Sequence, residues 1–323
     1  MKQRLFAILI VIIALMLVSL CMTACEEEVP PEHVDVGTPA NGGSIYTAAE
    51  LISFFEKGQS GSAALGTSID LGDDILKLEK DRGAITIQGN GFSITGNGDC
   101  VIRLGDGCTL RLEDVEIVGG RSGIGCLGDA VLGGEITISS IAHSITAVGD
   151  VTVEKDSVFN LSSNVGCGLR AKGLTILPNS TVATAGALGG INIMADDLVL
   201  SENTTVSAIT DDNYNALKCE GTLILKDGAT LVMINNGPYH GAELRDMEVE
   251  GVVNVEALGG GNGVGIFLFE QDEDVFLVGR CLPEPRFEVG DGSITFVEDA
   301  SQIPVPEPEE DAETDEDVSL GDG

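Results

Sequence analysis

The chain has 323 residues, of which 52 are Asp or Glu against 17 Lys or Arg, giving a formal charge of −35. That balance excludes partners such as nucleic-acid phosphates or anionic lipid headgroups, whose binding requires clustered basic side chains. Hydrophobic residues at 43% are too many for a disordered acidic chain, whereas aromatics at 4%, with no Trp, require an aliphatic core.

At the start of the chain, Lys2 and Arg4 precede an apolar run from Leu5 to Leu20 that ends in small residues, the layout of a secretory signal. Met22-Thr23-Ala24-Cys25 resembles the bacterial lipobox, although Met22 stands where that motif usually has Leu. The resemblance implies a signal peptide over residues 1–24, a lipid on Cys25 as the mature N-terminus, and an exported protein held at the cell surface by its membrane anchor. The alternative is an uncleaved anchor, because an apolar stretch of roughly 20 residues just spans a bilayer.

Residues 25–44 mix charge, Pro and Gly without apolar periodicity and read as a flexible tether. Thr47 and Glu50 then form a capping-box pair, with Tyr46 and Leu51 spaced as a hydrophobic staple. Leu51, Phe54 and Phe55 share one apolar face, which predicts a capping helix at the N-terminal end of the domain, followed by an incomplete first coil over Ile69 to Leu78. At the far end, residues 300–323 (ASQIPVPEPEEDAETDEDVSLGDG) read as an acidic disordered tail.

Between tether and tail, alternating aliphatic strands return at Ile85, Cys108, Ala130, Val151, Leu174, Leu198, Thr222, Glu248 and Val275, in segments of 21 to 27 residues. Each segment holds an opening strand, a second strand and, after a Gly-rich stretch, a third. Period-two alternation gives every strand one buried and one solvated face. Three such strands per repeat predict an all-β domain over residues 45–299, a single-stranded right-handed parallel β-helix with an N-terminal capping helix. At about 4.8 Å per coil, nine coils make a rod of roughly 43 Å. A narrow interior explains the aliphatic composition, and tight corners explain the 43 Gly. ITIQGNGFSITGNG, residues 85–98, resembles the opening coils of the pectin-lyase-like superfamily, a scaffold shared by lyases, hydrolases, adhesins and spacers.

Six Cys fall in the domain. Aligning the third strands as Ile124/Cys126, Ile145/Ala147, Leu169/Ala171, Ile193/Ala195 and Leu217/Cys219 puts Cys126 and Cys219 in one column four coils apart, and Cys100 and Cys167 share another three coils apart. Four coils are roughly 19 Å, against a Cα separation of at most about 7 Å for a disulfide. The cysteines therefore read as small buried hydrophobes.

The resemblance directs attention to particular polar residues. Galacturonases of the superfamily use a Gly-His-Gly motif with paired Asp; here His240 follows Tyr239 instead of Gly, and the Asp pairs Asp73-Asp74, Asp196-Asp197 and Asp211-Asp212 are strand neighbours that point to opposite faces. Pectate lyases use carboxylate-held Ca²⁺ and an Arg base, for which Asp211, Asp212, Arg170 and Arg245 are candidates. His143 reads as a solvated strand residue. Asp106, Asp129, Asp150, Asp197, Glu220 and Asp246 end successive third strands, with Lys172 interrupting the run, a column that either holds Ca²⁺ through Asp129 and Asp150 or consists of turn residues that aid solubility. No cofactor other than this Ca²⁺ is implied.

Tyr214 and Tyr239, at comparable places in neighbouring coils, are the best exposed aromatic pair for a sugar ring, with Asn213, Asn215 and His240 beside them. The sequence thus favours a noncatalytic surface module for adhesion, spacing or carbohydrate contact. Its expected partners are the membrane, a neutral polysaccharide or another surface protein, not nucleic acid, and the chain is expected to be a monomer. The alternative is a polysaccharide lyase or glycoside hydrolase acting around Asp211 to Arg245.

Overall fold

The computed structural model describes residues 43–57, 60–79 and 84–303. The lipobox Cys25, most of the tether and residues 304–323 lie outside them. The described chain is an all-β parallel solenoid of about ten turns. Three strands per turn build three parallel sheets, here named opening, second and third.

Strand alternation sets the register. In the opening sheet Val151, Leu174, Leu198, Leu223 and Met247 stack in one inward column. The second sheet stacks Val115, Ile136, Phe159, Val182, Val206 and Leu231. The third stacks Ile124, Ile145, Leu169, Ile191, Leu217 and Ala242. All these side chains are buried, so one continuous aliphatic core fills the solenoid. The third-sheet columns correct one expectation, because Ile191 and Ile193, not Ile193 and Ala195, carry the register at that coil.

Corner chemistry follows from backbone geometry. Between the opening and second sheets, Asp156, Asn179, Asn203 and Gly228 lie three residues beyond the paired Val153, Ile176, Leu200 and Leu225. All four have positive φ, between 56° and 73°. Only Gly, Asn and Asp adopt that conformation at low cost, which accounts for their recurrence there.

The helix α1 (Ala48–Lys57) carries the expected capping box: Glu50 Oε2 accepts the Tyr46 and Thr47 N–H groups at 2.8 and 3.0 Å, and Thr47 Oγ1 accepts the Glu50 N–H. Its Leu51 and Phe55 are buried in the core. Tyr46 is exposed, and its ring lies over Gly66, where a Cβ would come within 2.3 Å of it. The first coil is complete, since Gly61–Leu65 supplies the opening strand that precedes Ile69–Asp70 and Leu76–Leu78. Order also extends past residue 299, through a 3₁₀ turn at Ala300–Gln302 capped by Asp299.

Candidate functional site

The site residues sit at the corner where the second sheet turns into the third. Tyr214 and Tyr239 each lie three residues before the register-paired Leu217 and Ala242, so they occupy equivalent positions in consecutive coils. They are 51% and 47% exposed, large fractions for aromatic side chains. Beneath them, the buried Asn235 donates through Nδ2 to the Tyr214 and His240 carbonyls, at 2.5 and 3.1 Å, tying the two corners together. Asn215 links them again, accepting the His240 N–H through Oδ1 and donating to Glu243 Oε2.

His240 has a structural bond. Its Nδ1 accepts the Val264 N–H at 3.0 Å, which leaves the ring proton on Nε2. The imidazole stacks on Phe267 with centroids 5.0 Å apart and planes 17° apart, and Phe269 meets Phe267 edge-on at 5.3 Å. Burial lowers the His240 pKa, with Glu243 opposing that shift. His143 makes the same kind of bond, accepting the Cys167 N–H at 3.0 Å, and is half-buried rather than a solvated strand residue.

The candidate catalytic groups each have a local partner. Asp211 accepts from Asn236 Nδ2 at 2.6 Å, Asp212 accepts the Asn213 N–H, and Arg245 faces Glu270 at 3.8 Å. No hydrogen bond or ion pair among the described residues joins these three to one another or to His240. Arg170 is not at the register of Arg245, because its column continues through Asn192 and Lys218 to Glu243. Near Arg245, a groove of about 350 Å³ is walled by Lys218, Glu220, Glu243, Phe269 and Glu270, with Lys218 paired to both Glu220 and Glu243.

The acidic column has a use the sequence did not reveal. Asp106 Oδ1 accepts the Asp129 N–H at 3.1 Å, and Asp129 Oδ1 accepts the Asp150 N–H at 2.9 Å. Further along, Asp197 accepts the Thr222 N–H, and at the corner between the opening and second sheets Asp227 accepts the Val252 N–H in the same way. Each carboxylate caps the next coil, as an N-cap side chain does in a helix. Burial raises the Asp150 pKa, with Asp196 and Asp129 adding to the shift, while Lys172 pairs with Asp196 at 2.5 Å. Among the described residues no group of three or more His, Cys, Asp or Glu is placed to hold a metal ion.

The six domain cysteines are buried thiols, none joined in a disulfide. Burial pushes the Cys126 and Cys281 thiols up to about 12 and Cys219 to about 11, far from thiolate chemistry at neutral pH.

A second feature of the same corner escaped the sequence reading. Ile141, Val165 and Leu188 line a groove of about 660 Å³ with Asp99, Arg121 and His143. No described helix is long and apolar enough to cross a membrane. No family model, curated protein or solved structure matches this chain.

Proposed function

We propose that this chain is an exported, noncatalytic surface module of right-handed pectin-lyase-like topology, held to the outside of a membrane by a lipid on Cys25. Its task is to contact carbohydrate through the Tyr214 and Tyr239 corner. The observation that carries the reading is the pair of exposed tyrosines at one register position in consecutive coils, braced from below by Asn235. An exposed Tyr offers an apolar face for a pyranose ring and a hydroxyl for its polar edge. Against catalysis stands the separate engagement of Asp211, Asp212, His240 and Arg245. A general acid and base must reach one reacting bond, and these residues serve local contacts instead.

A glycan array read beside a reducing-sugar release assay tests the reading. Binding without release is expected; release of sugar from any polysaccharide would establish an enzyme instead. The anchor is tested separately by labelled fatty-acid incorporation, which Cys25→Ala is expected to abolish.

A further inference from the structure

Tyr214 and Tyr239 are the end of a longer feature. Leu188 lies three residues before Ile191, as Tyr214 and Tyr239 lie before Leu217 and Ala242, and those three strand residues are register partners. Ile141 and Val165 lie four residues before Ile145 and Leu169, the partners that continue the same column. Five successive coils therefore place Ile141, Val165, Leu188, Tyr214 and Tyr239 along one corner, with exposures of 53%, 57%, 37%, 51% and 47%. At about 4.8 Å per coil the ridge runs roughly 19 Å parallel to the rod axis. Exposed apolar side chains scattered singly need no explanation, but a contiguous row on so charged a chain marks a contact surface.

The surroundings define the ligand. On one flank the nearest outward column of the second sheet, Ser139, Ser162, Ala185, Ile209 and Ile234, carries no charge. On the other flank His143 and His240 keep a donor on Nε2, because Nδ1 of each accepts a backbone N–H. Asp99, Asp211 and Asp212 outnumber Arg121 along the corner, which repels a polyanion. The geometry points to an extended neutral β-linked polysaccharide lying along this ridge, its rings stepping from coil to coil with apolar faces on the five side chains and hydroxyls toward His143, Asn215 and His240. The inference rests on the carbohydrate reading above and extends it in length, direction and ligand class.

The test is binding of β-1,4-linked and β-1,3-linked glucose oligomers, dimer to hexamer, to the full-length chain, with galacturonate oligomers alongside. Affinity for one of the neutral series is expected to rise with each ring up to the pentamer. Leu188→Asp and Val165→Asp are each expected to weaken the pentamer about tenfold, roughly the loss of one well-buried apolar contact, while leaving the dimer unaffected. Both side chains are at least partly exposed, so the variants should melt with the parent protein, which thermal denaturation checks. Equal pentamer affinity in parent and variants, or affinity that stops rising at the dimer, would overturn the ridge while leaving the tyrosine contact standing. Tighter binding of the galacturonate series would overturn the neutral assignment. Failure of every oligomer to bind would remove both the ridge and the carbohydrate reading.

Discussion

His143 and His240 occupy the same register position four coils apart, and each accepts through Nδ1 the backbone N–H of the residue 24 positions on, Cys167 and Val264, at 3.0 Å. Each imidazole thus latches one coil to the next, and protonation of Nδ1 breaks the latch. Burial lowers both pKa values, with Arg170 and Arg121 adding to the shift at His143 and Arg286 adding at His240, where Glu243 opposes. The sign follows from linkage: below the unfolded value of 6.5 the unfolded chain takes up protons that the folded chain resists. The histidine contribution is fully present above about pH 6.5 and is lost as pH falls toward the folded values. Urea denaturation of the parent and of the His143→Gln, His240→Gln double variant, from about pH 7.5 down to pH 5.5, should show a shallower decline in the double variant. Identical pH slopes would show that the latches do not titrate in this window.

Asp129 presents a parallel case with a carboxylate. Its Oδ1 accepts the Asp150 N–H, so Asp129→Ala should cost about 1 kcal/mol, whereas Asp129→Asn, which keeps an acceptor, should cost less. Millimolar Ca²⁺ should leave the melting temperature of the parent protein unchanged. A rise of several degrees on adding Ca²⁺, abolished in Asp129→Asn, would establish the metal reading of the column.

The cysteines make a chemical prediction. Since all six in the domain are buried thiols outside any disulfide, with burial raising the thiol pKa of Cys126, Cys219 and Cys281, a thiol reagent should label none of the six in the native domain at neutral pH. All six should titrate after unfolding without reductant. Fewer than five would reveal a disulfide and overturn the columnar argument that keeps Cys126 and Cys219 four coils apart.

The architecture was legible because its signals are local. Alternation along VTV, LTI and LVL marks the buried face, and the Asp156, Asn179 and Asn203 corners announce their own backbone conformation. The slip at Ile191 arose because INIMA alternates equally well two residues further on, and only pairing with Leu169 and Leu217 fixes the register. Of the site, Tyr214 and Tyr239 were legible because aromatics are rare in this chain. The histidine latches and Asp129 cap were not, since each side chain bonds a backbone 21 or 24 residues away, a full coil distant. Ile141, Val165 and Leu188 read singly as stray exposed aliphatics for the same reason.

Phe159 offers a test of the interior. It is fully buried in the second-sheet column between Ile136 and Val182, where a narrow solenoid has no neighbour free to collapse into the space. Phe159→Ala should cost about 3–5 kcal/mol, against about 1 kcal/mol for Ile→Val at Ile136. A loss below about 1 kcal/mol by urea denaturation would mean that the coils close around the cavity and that the interior is softer than its packing implies.

The helix α1 buries Leu51 and Phe55 against the first coil and packs beside the Leu76–Leu78 strand. A solenoid coil without a neighbour leaves apolar side chains and strand edges open to pairing with another chain. Deletion of residues 45–57 removes both the helix and the Ile45 pairing with Leu65, and so uncovers that first coil. Size-exclusion chromatography should then show oligomers or aggregate in place of the parent peak. The milder substitutions Leu51→Asp and Phe55→Asp, which leave the strand pairing intact, should shift the same profile in the same direction. A monomeric deletion variant with the parent's melting temperature would mean that the helix does not close this end of the rod.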